Sequence, residues 1–221
     1  LLRKAELYGS DPGINSLRAR VRSAMDDLEL IKRVLYRPAI IGGLPAAVKV
    51  TEMVALEDNL YLLDGNSGNV IRARLTSQGY QVDVEFQCGV NVGGIPGLKP
   101  LINIEAWPPG FTPEASLLAL DAFGGALYCL PDAPPKSDRL KAPEEGALSD
   151  VAGFTLDLGE AYVLDRASNQ VWIYRRSELT VEPKPFFNQE VPELNDVVDL
   201  AVNRDDLYLL LADGALTLCF Y

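Results

Sequence analysis

Thirty-one Asp and Glu side chains and no histidine define the chemistry open to this 221-residue chain. Without His there is no Ser-His-Asp or Cys-His nucleophile, no His-ligated zinc and no imidazole acid or base. Carboxylates remain, among them Glu105, Asp157, Asp199, Asp205 and Asp206, and sequence alone places no two of them at glycosidase separation. Asp64-Gly65-Asn66-Ser67-Gly68-Asn69 has oxygens at alternate positions, as a calcium loop does. An EF-hand needs Glu at the twelfth position, however, and Leu75 stands there. A loop of the same length recurs at Asp165-Arg166-Ala167-Ser168-Asn169-Gln170. Both therefore read as hairpin turns, with Asp64, Asn69, Asp165 and Asn169 as structural turn residues bonded to nearby backbone. No catalytic residue, metal ligand or cofactor site follows from the sequence.

Cys88, Cys129 and Cys219 are too few and too far apart for a disulfide scaffold or a Cys-x-x-Cys metal site. Each lies in an apolar stretch and reads as a free, small, buried hydrophobe. The Gly-rich run from Gly89 to Gly97 is followed by Leu98-Lys99-Pro100 rather than a helix, so it reads as a connection and not a phosphate cradle. Trp107, Phe111 and Phe186 sit in Pro-rich segments that read as surface connections, and they are the candidate binding residues of an exposed aromatic patch. The polar stretch from Pro131 to Leu148 has the composition of a mobile loop.

These residues have to be carried by one domain with an attached segment, since a domain takes roughly 150 residues. Twenty Lys and Arg against thirty-one acids give a net charge of −11, which repels a phosphate backbone and argues against nucleic acid as a partner. No apolar run is long enough for direct membrane insertion. From Ser16 the apolar residues Leu17, Val21, Ala24, Leu28, Ile31 and Leu35 alternate steps of four and three. That spacing predicts a helix from Ser16 to Tyr36, capped by Asn15 or Ser16 and ended by Arg37-Pro38. Its seam suits packing along the following domain, with pairing to a partner helix as the alternative. The organisation expected is a helical linker over 1–37 and a repeat domain over 38–221.

The repeat is a pattern of apolar run, short turn, Leu-Tyr-type run, Gly/Asn turn and apolar run. It begins at Met53, recurs closely at Gly153 and Asp199, and is most degenerate at Ser116. Aligning Tyr61, Tyr128, Tyr162 and Tyr208 gives spacings of 67, 34 and 46, with a mean of 49. A unit of this length built of short strands is a β-propeller blade. The fold class is thus all-β: about four propeller blades with cores near 50–88, 101–130, 151–187 and 197–221, preceded by an α-helix.

Leu-Tyr-x-x-Asp, five turn residues and then Val resembles the blade signature of NHL-type β-propellers, and Ala161 to Trp172 is the nearest copy. Asp165 and Asn169 match that family's turn positions, and Asp64 fits with Gly68 in place of Asn. The stretch from about Ile40 onward is also similar to uncharacterised C-terminal propeller regions of bacterial membrane-anchored proteins. That resemblance implies a stalk role for the helix, an extracytoplasmic location and no activity for the propeller itself. Because NHL-type propellers commonly have six blades, the chain is expected to be a fragment of a larger ring. The function expected is a non-catalytic recognition or scaffold module for a protein or small-molecule ligand, a bare spacer being a further option. The alternative is a lactonase-like propeller hydrolase, which would hold a metal in its channel with Glu, Asn and Asp. Asp64, Asn103, Glu105, Asp121 and Asp199 are its candidates.

Overall fold

The computed structural model describes residues 12–31, 38–90, 92, 96–144, 146–175, 178–188, 190–204 and 206–220. The chain forms two compact units, Leu1–Pro38 and Ala39–Tyr221. In the first, helix α1 spans Pro12–Leu28. It starts earlier than the apolar seam suggests because Pro suits the first turn of a helix, where its missing N–H is no loss. It also stops earlier. Leu30 takes φ 55° and Ile31 donates its N–H to the Asp26 carbonyl at 2.8 Å, a left-handed closure that ends the helix before the seam runs out. The rest of the expected helix, 32–36, lies outside the described residues. No residue of α1 is buried, and no helix among the described residues is long and apolar enough to cross a membrane.

The second unit is a four-bladed propeller arrangement. Blade 1 comprises β1 (Val50–Leu56), β2 (Asn59–Asp64), β3 (Asn69–Thr76) and β4 (Gly79–Val82), with β5 (Cys88–Gly89) also pairing β3. Blade 2 is β6 (Leu101–Ala106), β7 (Leu117–Asp121), β8 (Gly125–Cys129) and β9 (Lys136–Arg139), and blade 3 is β10 (Val151–Asp157), β11 (Glu160–Asp165), β12 (Gln170–Tyr174) and β13 (Lys184–Pro185). Blade 4 has three strands, β14 (Val197–Asn203), β15 (Asp206–Leu211) and β16 (Leu216–Phe220). All are antiparallel meanders, and the first strand of every blade carries a register shift directly after its first paired residue.

The register corrects the alignment of blade 2. Tyr61, Tyr162 and Tyr208 lie on second strands opposite Val54, Thr155 and Ala201, whereas the residue facing Glu105 is Leu118. Tyr128 belongs to the third strand. Measured through Leu118 the spacings become 57, 44 and 46. The long first interval arises because residues 107–116 join β6 to β7, where the other blades use a tight turn. The expected loop at 131–148 also needs revision: Lys136–Arg139 is an outer strand, and Leu140 and Leu148 are buried in the core. An outer strand meets water, so its composition is that of a loop.

Blades pack face to face. Tyr61 and Leu63 of blade 1 meet Leu117, Ala119, Leu127 and Cys129 of blade 2. Leu118 and Leu120 meet Ala161, Val163 and Trp172 of blade 3, and Tyr162 and Leu164 meet Leu200, Leu207 and Leu209 of blade 4. The outer face of blade 1, with Leu60, Leu62 and Ala73, is covered by Ile40 and Leu44. Cys88 and Cys129 are not free: they form a disulfide between blades 1 and 2, with 5.5 Å between their Cα atoms. They are 41 residues apart in sequence and meet only because β5 folds back onto β3. Cys219 is the free thiol.

An aspartate ends the second strand in each of blades 1 to 3. Asp64 accepts the N–H of Lys49 at 2.9 Å, the N–H of Asn66 at 3.1 Å and the Ser67 hydroxyl at 2.7 Å. Asp121, fully buried, accepts the N–H groups of Lys99, Phe123 and Gly125 at 2.8–2.9 Å. Asp165 accepts those of Ser149, Asp150 and Ser168. Each carboxylate thus holds its own turn and also the backbone that enters the first strand of its blade. Asp121, not among the turn candidates, makes the same kind of bonds as Asp64 and Asp165. Gly68 and Asn169 occupy the same left-handed turn position, φ 67° and 49°. At Gly68 a Cβ would lie 2.6 Å from the Pro100 backbone, so the Asn usual there has no room. Asn169 instead pins the next connection, accepting the Leu194 N–H and donating to the Pro192 carbonyl. Asn69 lies one residue beyond the turn, its Oδ1 buried without a partner. We expect Asp121→Ala, which leaves the buried Gly125 N–H and the partly buried N–H groups of Lys99 and Phe123 without their acceptor, to lower the unfolding free energy by about 2 kcal/mol or more in urea titration.

Candidate functional site

The first strands of successive blades lie side by side: β1 against β6, β6 against β10, and β10 against β14. The shared register shift places Glu52, Asn103, Gly153 and Asp199 at equivalent positions, each opposite a leucine of the second strand. Two residues along, on the same strand face, stand Val54, Glu105, Thr155 and Ala201. Polar groups thus concentrate on the inner strands, and Glu52, Asn103, Glu105 and Asp199 line a cleft of about 390 Å³ with Thr51, Met53 and Val198.

Hydrogen bonds run from blade to blade within it. The Asn103 amide donates to both Glu52 oxygens at 2.7 and 2.8 Å, and the Ile104 N–H reaches Glu52 Oε2 at 2.9 Å. On its other side Asn103 Oδ1 accepts the Phe154 N–H at 3.4 Å. One carboxylate and one amide therefore tie blades 1, 2 and 3 together. Gly153 interrupts the series because the Leu200 side chain already lies 3.2 Å from where its Cβ would be. Asp199 is exposed and accepts the N–H of its neighbour Leu200.

Burial raises the pKa of Glu52 despite the bonds from Ile104 and Asn103. Glu105 is displaced further, to about 7, by burial first and then by the negative charges of Glu52 and Asp199, with the Thr155 hydroxyl opposing the shift. The cleft therefore holds a carboxyl that changes charge near neutrality beside two further acids, Glu52 and Asp199.

Of the five metal-channel candidates, Asn103, Glu105 and Asp199 come together here, joined by Glu52, which sequence reasoning missed. The signal for Glu52 was its place in the repeat, two residues into the first strand, as Asn103 is in blade 2. Asp64 and Asp121 are placed elsewhere, in the turns described above. Among the described residues no three His, Cys, Asp or Glu form a metal-ligating group. The expected aromatic patch is not a surface: Trp107 and Phe186 are each 3% exposed. Trp107 stacks edge-on against Tyr128 and Phe111, and Phe111 rests on the turn at Gly159, whose Cβ would lie 2.7 Å from its ring. Phe186 packs against Tyr162 and Phe187 in the core between blades 3 and 4. Proline-rich connections cross the blade faces and lower their aromatics into the gaps between blades, which is why their composition suggested exposure. The Gly-rich run falls partly outside the described residues (91 and 93–95).

A second cavity, about 370 Å³, lies where blades 1 and 2 meet, lined by Arg72, Arg74, Phe86, Pro131 and Asp132. Arg72 is 4% exposed, lies over the Phe86 ring, bonds the Pro131 carbonyl and pairs with Asp83 at 2.6 Å. Burial works to raise the Asp83 pKa, but its bonds to Arg72 and Glu85 and the charges of Arg72 and Arg74 bring it below the usual carboxylate value. The Arg72 guanidinium is thus committed to holding two blades together.

No known protein family matches the sequence, and no curated protein matches it. Solved structures do. The computationally designed Ika4 protein aligns over 84% of this chain and 99% of its own at 8% identity and TM-score 0.49. A candidate 6-phosphogluconolactonase from Bacteroides uniformis aligns over 76% of this chain at 14% identity and TM-score 0.47, and this chain spans about half of it, 55%. PorZ, a bacterial surface component of the type-IX secretion system of Porphyromonas gingivalis, aligns over 79% of this chain and 27% of its own at 13% identity and TM-score 0.41. None of these likenesses bears on activity.

Because the folded-state pKa of Glu105 lies above its ordinary value, the stability linked to its proton is complete below about pH 4.5 and is lost as pH rises through about 7. Thermal melts should show Glu105→Gln matching the parent at pH 4.5 and exceeding it at pH 8, by about 2 kcal/mol. A difference that does not vary with pH would place Glu105 in a solvated setting.

Proposed function

We propose that the chain is a non-catalytic β-propeller recognition module that accepts cationic groups at the acidic cleft of its inner strands. The observation that supports this reading most is the commitment of the polar residues around the cleft. Asn103 and Glu52 bind one another and backbone, Asp64 and Asp121 are spent on turns, and Glu105 and Asp199, which accept only a hydroxyl and local backbone N–H groups, face the cleft without a basic partner. Two carboxylates at a cleft mouth suit a Lys or Arg side chain or a polyamine. The NHL-type blade signature at Ala161 to Trp172 agrees with a binding role. One observation favours the hydrolase reading instead, namely Glu105, whose pKa of about 7 suits a general acid or base.

Calorimetry with spermidine and with short lysine peptides separates the two. Recognition predicts saturable binding that weakens about tenfold in Glu105→Gln combined with Asp199→Asn and weakens again below pH 7, with no heat from millimolar calcium. Stoichiometric metal retained after dialysis together with lactone turnover would overturn it.

The same proposal sets the module outside the bacterial cytoplasm, on a membrane-anchored parent with α1 as the stalk. Its support is the Cys88–Cys129 disulfide, since such bonds persist in oxidising compartments. Alkylation of denatured protein isolated without reductant should label one cysteine, Cys219, and three after reduction. By the chain-entropy model for a loop of this length, reduction should destabilise the fold by up to about 4 kcal/mol. Three labelled thiols before reduction would remove the argument.

A further inference from the structure

The face that blade 1 turns away from blade 2 carries Leu60 and Leu62 of β2. Counted back from the strand end, their counterparts in blades 2 to 4 are Leu117 and Ala119, Ala161 and Val163, and Leu207 and Leu209. Each of those pairs is buried against the sheet of the preceding blade. Blade 1 is covered differently. Residues 39–48, which lie inside the chain between α1 and β1, cross the face as a strap, and Leu60, Leu62 and Ala73 are buried beneath Ile40 and Leu44.

The strap is held at few points. Ile40 forms a parallel bridge to Tyr80 of β4, whose N–H donates to the Ala39 carbonyl at 2.9 Å and whose carbonyl accepts the Ile41 N–H at 2.7 Å. Further along, the Asn66 amide donates to the Ala47 carbonyl at 2.7 Å. Between these anchors Gly42 and Gly43 turn at φ 76° and 75°, with nothing within 4 Å of either Cβ position. Ile40 and Leu44 are themselves only half-buried. The chain becomes fixed at Lys49, whose N–H donates to Asp64 and whose carbonyl accepts the Gly65 N–H. Two aliphatic side chains and one edge pairing thus do here what a whole blade does elsewhere.

We propose that the strap is a displaceable cover, and that the surface beneath it, the β4 edge at Tyr80 with Leu60, Leu62 and Ala73, is a docking site for an extended aliphatic segment of a partner protein. The strap itself shows what the site accepts: backbone that pairs with an edge strand, and two aliphatic side chains four residues apart in a stretch without charge. Being tethered, the strap competes at high effective concentration, so the partner that displaces it is one that covers more of the face than Ile40 and Leu44 do. The site shares no residue with the acidic cleft.

Native-state hydrogen exchange of the full chain tests the cover. The amides of Ile41 and Tyr80 should exchange about a hundredfold or more faster than those of β2, at rates that do not follow denaturant, because opening the strap leaves the sheet intact. A fluorescent peptide of residues 38–48, added in trans, tests the docking site. The full chain carrying Ile40→Asp and Leu44→Asp should bind it saturably and about tenfold or more tighter than the unaltered chain does, and the peptide carrying the same two substitutions should not bind. Strap amides that exchange only with global unfolding defeat the proposal even where the double variant fails to fold. A folded variant that ignores the peptide, binds it no tighter than the unaltered chain, or takes both peptides alike defeats it equally.

Discussion

A single carboxylate, repeated, holds the propeller together. Faces of aliphatic sheet stack without directional preference, so apolar packing alone does not set the angle at which one blade follows another. Asp64, Asp121 and Asp165 supply that direction. Each ties the end of a second strand to the chain arriving from the preceding segment by accepting a backbone N–H of that chain. The position of the first strand follows, and with it the side chains that line the inner cleft. In blade 4 the corresponding residue is Leu211, and there the backbone bond from Ala212 to the Asp196 carbonyl, matched by Gly65 to Lys49 in blade 1 and Arg166 to Asp150 in blade 3, joins turn to incoming strand without a carboxylate beside it.

The repeat was legible because both inner strands of a blade are covered by neighbours. Leu60-Tyr61-Leu62-Leu63-Asp64 and Ala161-Tyr162-Val163-Leu164-Asp165 are apolar without alternation, as strands buried on two faces must be. Outer strands lack that constraint, and Lys136-Ser137-Asp138-Arg139 carries no signal separating it from a loop. The disulfide was hidden for another reason. Cys88 and Cys129 are neighbours only through the return of β5 to β3, a long-range contact that no spacing in the sequence encodes. Trp107 and Phe186 misled because Pro and Gly report that the backbone turns, not which way its side chains face. The cleft was half legible: Asn103, Glu105 and Asp199 were candidates by residue type, but Glu52 needed the register.

The acids of this chain divide by position within the blade, and the division is physical. At the end of a second strand a carboxylate meets several N–H groups aimed at one point, which pays for its burial and favours the charged form, as at Asp64. On the cleft side of the inner strands no such convergence exists. There Glu52 secures an amide and a backbone N–H, while Glu105 has a hydroxyl and like-charged neighbours, and its proton is held to about pH 7. The two classes are indistinguishable in composition, yet the turn aspartates meet converging backbone donors and the cleft acids do not. Within the cleft the acids divide again: Glu52 bonds the amide and backbone of blade 2, whereas Glu105 meets a hydroxyl and like charges, and position in the blade rather than residue type decides which acid stays charged.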